Sequence, residues 1–373
     1  MPETLEKTRH PGDRLMSLDF FRGIVMFLLI AEATGLYDLL VAPSLRGTII
    51  YALGTQFQHH PWNGLHLWDL GQPFFMFISG VAMAFSYGRR WNQGESWGTT
   101  FSHALLRSFL LFLFGWGIYF IDPAAVSARG AFLYDVLPQL AFACLIAFLI
   151  MRRPVAAQIT FGMGLLVLTE LLYRLWAVPG FNQPFIPDHN FGSYVDRLLL
   201  GRLSGDHWVA FNAVPLAAVT IWGVVAGQLL RSERVPSRKI KPLIFVGLIG
   251  VGVGLALNPL TPIIRRISTS SFIILSGGLC LIALALSHWL IDVLNLRKWA
   301  KFFAIVGMNP LFIYLFTQTG GVEWLWRIVK PFTLGSLAWA GEWPAQAVSS
   351  LAVLALLWFL CYWLYRRKIF IRI

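Results

Sequence analysis

Charge is what this sequence has least of. Only 13% of its residues are Asp, Glu, Lys or Arg, against 57% hydrophobic, and the mean hydropathy is +0.65. A water-soluble domain of 373 residues could not hide so much apolar surface. No polar stretch is long enough to enclose a core of its own, so no separate soluble domain is expected. Acidic residues are scarcer than basic ones, 18 against 30. The resulting +12 does not indicate nucleic acid, because the cations stand in short clusters between apolar runs: "GRR", "MRRP", "RSERVPSRKIK", "LRKWAK" and "YRRKIFIRI". That is the pattern of cytoplasmic membrane loops. The three cysteines, Cys144, Cys280 and Cys361, lie inside apolar runs and read as packing residues, with no disulfide framework implied. No HExxH or CxxC spacing is present, so no metal site is read. No small-residue cleavage site follows the first apolar run, which argues against a cleaved signal peptide.

What the chain does have is apolar runs of bilayer length. Ten candidate spans fall near 19–41, 69–87, 104–121, 131–151, 154–175, 208–230, 241–258, 269–291, 300–318 and 345–365. The expected fold is an all-α polytopic membrane protein of about ten transmembrane helices. It forms a single domain over 1–373, with polar tails at 1–18 and 366–373. With the N-terminus inside, most of the 30 Lys and Arg fall on the cytoplasmic side. Both termini are therefore expected to be cytoplasmic. The long loops 42–68, 176–207 and 319–344 then face outward and suit re-entrant or interfacial structure. No internal repeat is visible, which disfavours transporter folds built on inverted repeats.

Several polar groups interrupt the apolar pattern. In "RLMSLDFFRG", Asp19 and Arg22 are three apart and share a helix face, as an anchoring pair or, with Arg14, as a holder of an anionic cytosolic ligand. Glu32 stands ten residues beyond Arg22, about 15 Å along a helix and so near mid-membrane. A carboxylate there lines a polar cavity or makes a structural hydrogen bond. The stretch "HHPWNGLHLWDLGQPFFMFISG" gathers His59, His60 and His66 at the mouth of a span. Neutral imidazole suits both proton transfer and nucleophilic attack near pH 7. Asp69 either orients an imidazole or caps the helix. Trp62 and Trp68 fit an interface belt or a platform for a sugar's C–H face. Gln139 lies within a span, "RRISTSSF" places Arg265, Arg266 and a hydroxyl run that includes Ser271 at a span's start, and "VGMNPLFIY" places Asn309, Pro310 and Tyr314 in another. Asn309–Pro310 interrupts helical hydrogen bonding. Helix packing alone accounts for each of these three sets.

Together "RLMSLDFFRG", "HHPWNGLHLWDLGQPFFMFISG" and "VGMNPLFIY", in this order, resemble the heparan-alpha-glucosaminide N-acetyltransferase family of transmembrane acyltransferases, and within it a bacterial NagX-type branch. The resemblance implies acetyl transfer from cytosolic acetyl-CoA, as co-substrate, to an amino sugar on the far side of a bacterial inner membrane. It carries the family histidine, three residues before the Trp of "WNG", onto His59, with His60 its neighbour. Asp69 or Asn63 would fix its tautomer, and Glu32 would relay a proton or polarise the thioester. The implied donor site comprises Arg22, Asp19, Arg14, Gln139 and Asn309. The implied acceptor site comprises Trp62, Asn63, Trp68, His60 and Ser271. The family's asparagine eleven residues after the Arg of "FRG" falls here on Ala33, leaving Glu32 or Thr34 to take its polar role. A homodimer is a further expectation that no feature of the sequence requires. The rival reading is an amino-sugar or N-acetylglucosamine permease without CoA chemistry.

Overall fold

The computed structural model describes residues 15–121, 132–337, 339 and 341–371. Among them there are helices and no strands, with a single isolated bridge between Asn63 and Ile264. The helices are α1 (Met16–Ala33), α2 (Leu36–Leu40), α3 (Ile49–Thr55), α4 (Gly71–Asn92), α5 (Trp97–Ile121), α6 (Val136–Ile150), α7 (Val155–Leu175) and α8 (Phe191–Leu200). They continue as α9 (Ala213–Arg231), α10 (Pro236–Leu257), α11 (Ser270–His288), α12 (Arg297–Gly307), α13 (Pro310–Gln318), α14 (Gly321–Ser336) and α15 (Glu342–Arg366).

Every expected span contains a helix, but they are not equally suited to lipid. Seven are long and apolar enough to cross a membrane, and α12 with α13, bent by 53° at their break, make an eighth. The break is the Asn309–Pro310 step, where Asn309 leaves helical backbone at φ −126, ψ 53 and Pro310 opens α13. The other two expected spans fall short for physical reasons. Helix α1 carries Asp19, Arg22 and Glu32 within 18 residues. Helix α6 has only 15 residues, because Asp135 caps its start by accepting from Leu137 N at 2.9 Å. The 319–344 loop is largely helical, as α14.

Burial separates the central helices from the peripheral ones. The apolar windows of α4, α9 and α11 are 61–67% buried, whereas those of α7 and α10 are 22% and 17% buried. Helix α1 packs on α12, and α4 packs on α9. The first contact explains the glycine of "FRG": a Cβ at Gly23 would lie 2.1 Å from the Phe303 carbonyl oxygen. Only a residue without a side chain lets the two backbones approach so closely. All three cysteines are buried and free.

Candidate active site

Two cavities lie end to end among the central helices. The first, about 440 Å³, is lined near the start of α1 by Asp19, Arg22, Arg89 and Arg107, and further in by Ser79, Ser86, Phe85 and Leu140. Asp19 is the one carboxylate among its described lining residues. The second, about 360 Å³, is lined by Glu32, His59, Trp68, Gln72, Arg265, Gln318 and Glu323. Phe75, Val136 and Tyr314 line both, so these three side chains form the neck between them. Asp135 holds one of them in place, accepting from the Tyr314 hydroxyl at 3.1 Å.

The second cavity contains the histidine chemistry. His59 Nδ1 lies 3.3 Å from Asp69 Oδ1 and 2.7 Å from Arg265 Nη1. The other carboxylate oxygen of Asp69 accepts from the backbone N–H of His66 at 2.8 Å and of His60 at 3.3 Å. One fully buried carboxylate thus both folds the histidine loop over the start of α4 and faces the ring of its first member. The imidazole lies near parallel to Trp68, at 14°, and edge-on to Trp208. Trp208 in turn carries the Arg265 guanidinium on its face, 4.4 Å from the ring centre. Burial, then the Arg265 and Arg266 cations, push the His59 pKa down, while Asp69 opposes them. The net shift favours the neutral ring.

The "WNG" motif has a structural reason. Gly64 adopts φ +149, and a Cβ there would meet the His60 ring at 2.4 Å. Its N–H donates to Ile263 O at 2.8 Å, and Asn63 bridges Ile264, which brings Arg265 to His59. Ser271 Oγ donates to Pro262 O and meets Thr269, and Thr269 Oγ1 accepts from Ile264 N, bracing the same turn.

The remaining expected residues divide between the cavities and the scaffold. The helix expected to run to residue 41 ends at Ala33, so Glu32 stands in the last turn of α1, at its His59 end, and accepts from Trp68 Nε1 at 2.6 Å. Of the two neighbours of Ala33, Glu32 is the one that lines the cavity. Thr34 is buried and donates to Ala31 O. Asp19 and Arg22 pair at 3.7 Å in the first cavity. Arg14 lies outside the described residues. Gln139 lines neither cavity; it accepts from Gln72 Nε2 at 2.6 Å and so supports a residue that does. Asn309 is fully buried and clamps the C-terminal tail, donating to Ile369 O and accepting from Ile371 N. Trp62 donates to Phe185 O and meets His207 edge-on, Asn63 is exposed, and His60 packs against His66. None of these three lines the second cavity. Sequence reasoning did not single out Arg89, Arg107, Gln72, Asp135, Trp208 or Glu323. It noted Arg265 without tying it to His59, because the two lie 206 residues apart with no spacing to connect them.

No curated protein matches the chain. A family model described as the catalytic region of heparan-alpha-glucosaminide N-acetyltransferase matches residues 14–252, which takes in α1, the histidine loop and the neck residues Phe75 and Val136. This multi-pass membrane protein therefore belongs to the heparan-alpha-glucosaminide N-acetyltransferase family.

Proposed function

We propose that the protein moves acetyl from cytosolic acetyl-CoA to the amine of glucosamine or a related amino sugar, with His59 at the reacting centre. One observation carries the reading: a basic cavity and a histidine cavity meet at a neck of three side chains. The basic cavity fits a polyanionic donor. Arg22, Arg89 and Arg107 supply charge for phosphates, and the walls turn apolar towards the neck, as a long uncharged arm requires. On this reading the cavity and both termini face the cytoplasm across a bacterial inner membrane, and the bias of Lys and Arg between loops supports that orientation. The His59 cavity then faces outward, where acceptor sugar is found. The membrane location gains a purpose on this reading, since a CoA ester is too charged to cross lipid while an acetyl group passed through the neck is not.

In the direct route, His59 takes a proton from the acceptor amine as its nitrogen bonds to the acetyl carbon. The carbon–sulfur bond breaks, and the imidazolium returns the proton to the leaving thiolate, leaving an amide and a thiol. In the two-step route the imidazole carries the acetyl group between the two. Both need one ring nitrogen with a free lone pair. Glu32, beside Trp68, is placed to relay a proton or to hold the acceptor.

The decisive experiment is acetyl transfer from radiolabelled acetyl-CoA to glucosamine by detergent-purified protein, comparing wild type with His59→Ala. Wild type should transfer, and the variant should fall by roughly 10²–10⁴-fold while still binding acetyl-CoA. Absence of acetyl-CoA binding by a wild-type preparation that takes up amino sugar in vesicles would favour a permease instead.

A further inference from the structure

The side of His59 that faces Asp69 contains a conflict. A guanidinium only donates, so the 2.7 Å contact from Arg265 Nη1 makes His59 Nδ1 an acceptor. A carboxylate only accepts, so the 3.3 Å approach of Asp69 Oδ1 needs a proton on the same nitrogen. Both cannot hold at once. In the geometry observed, Arg265 has the closer position. The neutral ring therefore carries its proton on Nε2, and Nε2 has no lone pair for acetyl transfer by either route.

Arg265 is built to give this position up. Its side chain is only 13% exposed, yet its Nε is buried with no hydrogen-bond partner among the described residues. The flat face of Trp208, 4.4 Å away, supports the guanidinium without fixing its direction. Nη1 already lies 3.7 Å from Asp69 Oδ1, so a shift of about 1 Å completes that pair and vacates Nδ1. The residue also lines the second cavity, where a carbonyl oxygen acquiring negative charge would attract it.

We propose that Arg265 is a positioning residue that sets the tautomer of His59: it holds the resting ring as Nε2–H and releases Nε2 when its guanidinium turns to Asp69 or to an anionic oxygen in the cavity. On release, solvent in the cavity takes the proton from Nε2 and supplies one to Nδ1, whose N–H then donates to Asp69. The net charge of the ring is unchanged. Arg265 lies beyond residues 14–252, so the family match does not reach it. The groups facing the ring are Asp69, Arg265 and Arg266, with His60 and His66 beside Asp69, and Glu32 and Glu323 across the cavity.

The consequence for catalysis rests on the acetyl-transfer reading, but the tautomer does not, and the test separates them. Protein labelled with ¹⁵N-histidine is purified in detergent, and the His59 signals are identified by their loss in His59→Gln. Well above the imidazole titration range, wild-type Nδ1 should resonate as a lone-pair nitrogen and Nε2 as a protonated one. In Arg265→Met the pattern should reverse, and in Arg265→Lys, which keeps a cationic donor, it should stay mixed or wild-type. A wild-type spectrum with Nδ1 protonated overturns the proposal without any variant, as does an Arg265→Met spectrum unchanged from wild type. In transfer assays Arg265→Met should also move the acid limb of kcat/KM to higher pH, because a cation that depresses the imidazole has gone. A merely structural arginine would lower the rate and leave that limb in place. If the tautomer reverses but wild type transfers no acetyl group, the Arg265 assignment stands and the acetyl-transfer reading falls.

Discussion

At His59, opposite charges compete for one ring nitrogen, and their removal has opposite signs. Asp69 raises the imidazole pKa and Arg265 lowers it. Asp69→Asn should therefore move the acid limb of kcat/KM to lower pH. It should also lower the rate by roughly 10²–10⁴-fold, since an amide at 69 can donate to Nδ1 and stabilise the Nε2–H ring. A pH profile of the variant that moves upward would contradict this account. Glu32 gives a second contrast. Glu32→Gln keeps an acceptor for Trp68 Nε1 and removes the charge, whereas Glu32→Ala leaves the indole N–H without its acceptor, at about 1–3 kcal/mol. If Gln and Ala lose transfer equally while only Ala loses thermal stability, the carboxylate charge is the functional feature. These two residues and His59 stood out in the sequence because each is a polar group within or beside an apolar run. The Asn309 break was equally legible. Its clamp on the tail was not, because Ile369 and Ile371 offer only backbone atoms, which no residue pattern marks.

Helices meet here through small residues, and that sets which substitutions are tolerated. Gly23→Ala would drive a methyl group into the Phe303 carbonyl, a backbone atom that cannot turn aside. We expect a loss of roughly 1–3 kcal/mol, visible as a lower Tm in detergent, against a gain of up to ~1 kcal/mol for Gly164→Ala in α7, where nothing lies within 4 Å. Equal Tm shifts for the two would remove the close contact between α1 and α12 as an explanation. Helix α8 supplies a pH prediction. Burial pushes the Asp196 carboxyl up to about 7, with Tyr134 facing it and Ala210 N donating to it. Its folded pKa exceeds its unfolded one, so the folded form holds the extra proton between about 4 and 7. Its contribution to stability is therefore full at low pH and is lost as pH rises through about 7. Protection against hydrogen exchange around Phe191 and Val209, with the intrinsic pH dependence of amide exchange divided out, should fall over that range in wild type and stay level in Asp196→Asn.

For the whole molecule, ten apolar runs predicted the order of the helices but not which of them surround the cavities. The periodicity of a lipid-facing helix and of a central one is nearly the same when both are apolar all round. Burial makes the distinction: α4, α9 and α11 are central, and the charged α1 joins them because Arg22 and Glu32 each line a cavity. The two cavities lie towards opposite ends of α1 and adjoin at Phe75, Val136 and Tyr314, which line both. On the acetyl-transfer reading, the donor's charged end stays on one side of this neck and its acetyl group reaches the other. A bulky residue at the neck should therefore separate binding from transfer. Val136→Trp should leave acetyl-CoA binding within a few-fold of wild type, since Arg22, Arg89 and Arg107 are untouched. It should lower transfer at least as far as His59→Ala does. Arg22→Ala should do the reverse, weakening acetyl-CoA binding more than acceptor binding. Calorimetric Kd values for both ligands, set beside single-turnover transfer rates, distinguish the cases. If Val136→Trp transfers at the wild-type rate, the acetyl group does not pass through the neck and donor and acceptor must meet elsewhere.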